Sequence, residues 1–195
     1  MTSLYLDFVR VVVEGDFGQV ARRRRLAASP VLATSSSDVG ATRQESCTFF
    51  FVDIAHYLYA GDTALHMAAA VFRRQVAALL VAHGADCRAK NRRGAEPLHR
   101  AVRTRSLAAV RALVDGGADS RRPNKAGSTP LHLAVRTTGR GGSGLPQARE
   151  QQAGIVRLLL ERGARATDQD KPGTSVHQAA TGKWIRDLFR EASAG

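Results

Sequence analysis

Imidazoles, thiols and clustered glycines are the groups in this chain whose types and spacing could do chemistry. Four of the six histidines, His66, His99, His132 and His177, stand in similar surroundings and would suit a metal centre or a catalytic set if folding brought them together. Their spacing of 33, 33 and 45 residues argues otherwise. Units stacked side by side hold equivalent residues about one unit apart, too far to share one ion at about 2 Å per ligand. His56 and His83 have no carboxylate or cysteine partner close in sequence and read as surface or turn residues. Cys47 and Cys87 are too few and too isolated for a disulfide framework or a zinc cage, and read as two reduced thiols. No Ser, Cys or Thr nucleophile stands in an activating context such as G-x-S-x-G. Spacing alone neither supports nor removes a hydrolase-type carboxylate pair, and no positive feature points to an enzyme.

Residues 139 to 144, Gly-Arg-Gly-Gly-Ser-Gly, fit the G-x-G-x-x-G spacing of a dinucleotide turn. Such a turn needs a buried strand before it and an acidic residue about 20 positions on. Leu131 to Arg136, however, carry the pattern of a helix, and the Gly-Lys-Ser/Thr ending of a phosphate loop is absent. The reading is a flexible insertion over residues 137–152 joining two helices, with no cofactor. Arg22 to Arg25 could be a nucleic-acid or targeting patch. Four consecutive arginines span a full helical turn and cannot all face one groove, so they read as the solvated end of a capping helix.

The elements that would position these groups repeat. "GDTALHMAA" from Gly61, "GAEPLHRAV" from Gly94 and "GSTPLHLAV" from Gly127 start 33 residues apart. Each is followed by a second matching block: "VAALLVAHGAD", "AVRALVDGGAD" and "IVRLLLERGAR". A weaker fourth copy, "GTSVHQAA", contains His177. Thr63 and Thr129 sit where a hydroxyl caps a first helix, and Pro130 follows at the first helical position, where its missing N–H costs nothing. Leu65, Leu98 and Leu131 then point inward. In the second block Val76, Leu79 and Leu80, and again Val110 and Leu113, have helical spacing with one buried face. Gly84, Gly117 and Gly163 follow as helix ends. Each unit is thus predicted to be two short antiparallel helices and a turn.

These blocks resemble the ankyrin repeat, whose Thr-Pro-Leu-His opening and Leu-Leu-x-x-Gly-Ala-Asp closing stand here as "TPLH" at 129–132 and "LLVAHGAD" at 79–86. The likeness covers roughly residues 61 to 190. It implies an all-α solenoid of helix-turn-helix units with short β-turn or hairpin fingers, in which His66, His99, His132 and His177 hydrogen-bond backbone around the turns. Three departures stand out: Glu96 for the capping Thr, Ala64 for Pro, and Ser175-Val176 for Pro-Leu. The units that carry them should be less stable, and the fourth should serve as a terminal cap. The expected organisation is an N-terminal capping region over residues 1–60 and repeats over 61–195, divided at about 61–93, 94–126, 127–171 and 172–195.

Within the capping region, "FVRVVVEGDFGQVARRRR" (8–25) reads as a degenerate helix pair with a turn at Glu14 to Asp16, shielding the first repeat. "AASPVLATSSSDVGATRQES" (27–46) reads as a mobile loop. "CTFFFVDIAHYLYA" (47–60) holds five of the eleven aromatics and reads as an enlarged finger packed on the cap.

Composition sets the remaining bounds. With 195 residues, 44% apolar and 24% charged, the chain can fold one domain. No apolar run approaches the roughly 20 residues of a membrane span, and no signal-peptide cleavage pattern is present, so a cytoplasmic protein is expected. The net charge of +12 comes from 25 Arg and 4 Lys against 17 acids, and residues 61 to 135 hold 13 basic and 5 acidic side chains. In ankyrin proteins partners meet the finger tips and the exposed side of the first helices. Carried over by position, Lys90, Arg92, Arg93 and Lys125 lie on the tips, Arg103 and Arg136 on consecutive first helices, and Tyr59 on the preceding finger. The expectation is a non-catalytic, monomeric interaction module that docks an acidic protein surface through guanidinium forks, with Tyr59 as an anchor. The alternative is non-specific, salt-sensitive nucleic-acid binding through the same stripe. No small-molecule substrate is expected.

Overall fold

Helix starts repeat with the sequence. Before the first full helix pair Thr63 is extended, at φ −92 and ψ 167, and its hydroxyl accepts the backbone N–H of His66. Thr129 does the same for His132 at φ −77 and ψ 165. Pro97 and Pro130 then open their helices at the first turn, where a missing donor is no loss.

The computed structural model describes residues 2–14, 29, 31–41, 49–51, 56–71, 74–136 and 146–193. Its helices are α1 (Thr2–Glu14), α2 (Val31–Thr34), α3 (Ala64–Ala70), α4 (Arg74–Ala82), α5 (Pro97–Arg103), α6 (Leu107–Asp115), α7 (Pro130–Val135), α8 (Pro146–Glu161), α9 (Val176–Ala179) and α10 (Lys183–Ser193). A two-residue hairpin, β1 (Phe50–Phe51) and β2 (His56–Tyr57), pairs Phe50 with Tyr57 and Phe51 with His56 in antiparallel register.

Two rows of helices result. Helices α3, α5 and α7 pack on each other as an inner row, and α4, α6 and α8 as an outer row, each inner helix also packing on its own outer partner. The inner helices are buried almost all round: every residue of α3 is buried, and Leu65, Leu98 and Leu131 are fully enclosed. The outer helices bury one stripe, such as Ala109, Val110, Leu113 and Val114 in α6, and leave Arg111 in solvent. One apolar core runs from Phe8 of α1 through the leucines to Ile185 of α10. This is an all-α solenoid in which each unit is stabilised by its neighbours.

The ends differ from the sequence reading. The opening helix begins at Thr2 instead of Phe8, packs against α3, and buries Tyr5, whose hydroxyl donates to the Asp62 carbonyl at 2.9 Å. Part of the segment taken as a mobile loop is built into the stack. Leu32 and Ala33 are buried, the Ser37 N–H donates to the Asp62 carbonyl at 2.9 Å, and the Gly61 N–H donates to the Ser37 carbonyl at 2.7 Å. Gly40 presses so closely on the next finger that an added Cβ would lie 2.1 Å from the Ala60 nitrogen. Serine and threonine richness hid this extra finger, because backbone pairing needs no particular side chain.

The insertion of the third unit is partly helical. Helix α8 runs for 16 residues where α4 and α6 run for 9, so residues 146–152 extend it instead of forming loop. Buried Gln152 donates to the Ala134 carbonyl at 2.7 Å and so satisfies an acceptor at the end of α7. Arg22 to Arg25, the residues of the expected second capping helix, Cys47 and glycines 139 to 144 lie outside the described residues.

Candidate functional site

The fingers are locked side by side by their own backbone. The Arg92 N–H donates to the Ala60 carbonyl at 2.9 Å, the Lys125 N–H to the Arg93 carbonyl at 3.1 Å, and the Lys171 N–H to the Ala126 carbonyl at 3.1 Å. Asparagines shape the tips: Asn91 Oδ1 accepts the N–H groups of Arg93 and Ala95, and Asn124 Oδ1 those of Ala126 and Ser128. The tip glycines lie against the following finger. Gly127, at φ +80, leaves only 2.4 Å between a notional Cβ and the Lys171 nitrogen, so no side chain fits there.

Two histidines tie opening to finger, and a third bonds its own opening. His66 Nδ1 accepts the Thr63 N–H at 3.1 Å and His132 Nδ1 the Thr129 N–H at 3.2 Å. That leaves the proton on Nε2, which donates to a carbonyl of the next finger: Ala95 at 3.0 Å for His66, Thr174 at 3.1 Å for His132. His99 accepts the Glu96 N–H at 3.1 Å in the same way. Burial pushes the His66 imidazole down, and pushes His99 down to about 4 despite the nearby Ser128 backbone. Both are therefore neutral at physiological pH, as this bonding requires.

His177 is a correction. Counted from Gly173, its place is the one that Leu65 holds after Gly61, and the residue that caps the helix opening is Gln178, whose side chain accepts the Ser175 N–H at 2.8 Å. His177 is exposed and lies 6.0 Å from the Phe189 ring. The histidine stands one residue early, so matching on the letter instead of the glycine shifted the fourth unit by one.

Glu96 explains its own irregularity. It occupies the N-cap place of α5 but is buried, and neither carboxylate oxygen has a hydrogen-bond partner; the Arg122 Nε lies 3.5 Å away as an ion pair. Burial pushes its pKa up to about 7, with Arg122 opposing. A group whose folded pKa is raised contributes less stability as pH climbs from its unfolded value through 7. Glu96→Thr should supply a neutral cap and raise stability by about 1 kcal/mol, which for a chain of this size is roughly 2–4 °C in Tm. The gain should be larger at pH 8 than at pH 5, measured by thermal unfolding at both.

The carried-over cations converge. Tyr59, Arg92, Arg93, Arg103, Lys125 and Arg136 line one groove of about 1100 Å³ between the finger row and the inner helices. Lys90 is exposed but does not line it. Tyr59 carries two guanidinium groups on its ring, Arg93 at 4.1 Å and Arg100 at 4.6 Å from the centroid. Phe50, Tyr57 and Tyr59 form a chain of ring contacts at 4.7 and 6.3 Å at that end.

One residue of the groove, Arg100, and one finger-tip cation outside its lining, Lys171, went unread in the sequence. Arg100 is buried and paired with Asp62, and it also donates to the Tyr57 carbonyl at 2.9 Å. It stands where the neighbouring units have Met67 and Leu133, and that polar interruption of an apolar position was the available signal. Lys171 holds the place of Lys125 in the next finger, two residues before the tip glycine; the insertion disguised the match by making the interval 46 residues.

Among the described residues no three His, Cys, Asp or Glu side chains are grouped to hold a metal ion. Cys87 is a buried free thiol, pushed up by burial. No helix among them is long and apolar enough to cross a membrane.

A model of ankyrin repeats, in three copies, matches residues 40–124 and again residues 65–170. The chain belongs to the ankyrin repeat family. Its match begins at Gly40, where the additional finger joins the stack, so the ankyrin region reaches further toward the N-terminus than the motif blocks alone suggest. Ankyrin repeats generally mediate protein–protein interaction, and the family is typically non-catalytic. A search of the curated proteins finds no match.

Proposed function

We propose that this ankyrin stack is a non-catalytic interaction module that recognises an acidic protein surface through its finger tips and the groove beside them. The supporting observation is the charge of that groove. Arg92, Arg93, Arg103, Lys125 and Arg136 line it and are all exposed, whereas a single carboxylate, Asp170, does so among the described residues. Guanidinium forks on exposed stems suit carboxylates well, since each can make two parallel charge-assisted hydrogen bonds. Tyr59, half-buried and already stacked on Arg93, gives the partner an apolar contact at one end.

Nucleic acid is the weaker reading. Sequence-tolerant binding of single strands needs aromatic faces open to bases, but the Tyr59 ring already carries Arg93 and Arg100, and Phe50 packs on Tyr57.

The test is affinity capture with the wild-type chain and with the combined variant Arg92→Glu, Arg93→Glu, Lys125→Glu. All three side chains are exposed, so the fold should persist. Recovery of acidic partners should fall by on the order of tenfold or more, and increasing salt should weaken the wild-type capture. An unchanged set of captured proteins would remove the reading.

A further inference from the structure

A smaller cavity of about 290 Å³ adjoins the groove at its Tyr59 end, and Tyr59, Arg92 and Arg93 line both. Its far wall comes from residues 38–41, in the additional finger that precedes the first full repeat. Backbone contacts hold that finger in place. The Ser37 N–H donates to the Asp62 carbonyl at 2.9 Å and the Ala41 N–H to the Leu58 carbonyl at 2.8 Å, while Gly40 lies so close to Ala60 that no side chain fits between them. The wall that faces Arg92 and Arg93 is therefore built into the stack.

The chemistry of the surface changes at this wall. Val39 is 39% exposed, one of three large apolar side chains exposed among the described residues; the other two, Leu4 and Val31, do not line the cavity. Beside it stands Asp38, an exposed carboxylate on the same cavity as the two arginines. A second carboxylate brought against this wall would meet Asp38, and juxtaposed like charges oppose binding. An apolar side chain escapes that repulsion and gains by burial against Val39. The cavity lies at the lower edge of the roughly 300–1,000 Å³ that encloses a drug-sized ligand. That size suits one side chain of a molecule already held by the groove.

Resting on the acidic-partner reading above, we infer that the additional finger belongs to the same recognition surface and seats an apolar side chain of the acidic partner, next to the carboxylates held by Arg92 and Arg93. The cations then supply attraction to any acidic surface. Val39 and Asp38 select among such surfaces, the first by an added contact and the second by repulsion.

The experiment uses the full chain and two fluorescent peptides, Leu-Leu-Gly-Glu-Glu-Glu-Glu-Gly-Leu-Leu and the same sequence with Ser in place of every Leu. Apolar residues on both sides of the glutamates make the result independent of chain direction. Anisotropy titrations at low salt should show the Leu-flanked peptide binding about fivefold or more tighter. Val39→Ser should bring the two peptides to within about twofold of each other, while Val31→Ser, at an exposed apolar residue outside the cavity, should leave the preference intact. Arg92→Glu combined with Arg93→Glu should weaken both peptides by about tenfold. Equal binding of the two peptides by the parent chain, or a preference that survives Val39→Ser, would overturn the inference and leave acidic recognition standing. Binding of neither peptide also overturns it, and the capture experiment then decides separately whether an acidic surface is recognised. Binding that is indifferent to the paired arginine reversal would overturn both.

Discussion

Asp62→Ala is expected to cost about 3–5 kcal/mol, because it leaves a buried cation without its counterion. Asp62 is fully enclosed and uses both carboxylate oxygens: Oδ1 accepts from Asn91 Nδ2 at 2.9 Å, and Oδ2 accepts the Tyr59 N–H at 2.7 Å and the Arg100 guanidinium. One side chain therefore joins the first finger, the second finger and helix α5. Its removal leaves Arg100, which is 7% exposed, with a neutral acceptor, the Tyr57 carbonyl, in place of a counterion. Thermal or denaturant unfolding should show the loss, roughly 6 to 20 °C in Tm at the usual 2–4 °C per kcal/mol for this size. Adding Arg100→Met to Asp62→Ala should recover a large part of it, since the penalty lies mainly in the stranded charge and not in the lost attraction. Stability of the single variant within about 1 kcal/mol of the parent would show that water reaches the pair and that it contributes little.

Leu131→Ala should lower stability by about 2–5 kcal/mol, from lost burial and from the cavity left in a close-packed row. Leu131 is 0% exposed in α7, which packs on α5, α8 and α9. In a stack where units are held by their neighbours, the damage should spread. Amide hydrogen exchange should quicken in α7 and also in α5 and α9, while α1 changes less. Exchange confined to α7, or unfolding unchanged, would mean that the third unit is not coupled to its neighbours in this way.

The two variants probe different halves of the design. Leu131 sits in the apolar row that makes the stack, whereas Asp62 and Arg100 fix the finger that closes one end of the groove. If the groove is where a partner lies, Asp62→Ala should disturb recognition as well as folding, because Arg100 also supports the Tyr59 ring.

Much of this could be read from the residues alone. A 33-residue period with a buried leucine and a terminal glycine in each of three copies, and a capping hydroxyl in two of them, determines the helix pairs, because each of those letters answers a local requirement of the backbone. The cations at the finger tips followed from the same period, since equivalent positions in a stack must fall in a line. Other features were decided only by tertiary contact. Residues 36–41 became a finger because the next finger offered backbone partners, and no side chain announces that. Arg100 turned inward because Asp62, 38 residues away, waited there. His177 lost the role of its namesakes through a one-residue displacement, and Lys90, four residues before its tip glycine, lies outside the groove. Local sequence sets what each unit is, since it acts within a few residues along the chain. Which polar side chains become partners depends on stacking, which brings together positions that no short stretch of sequence contains.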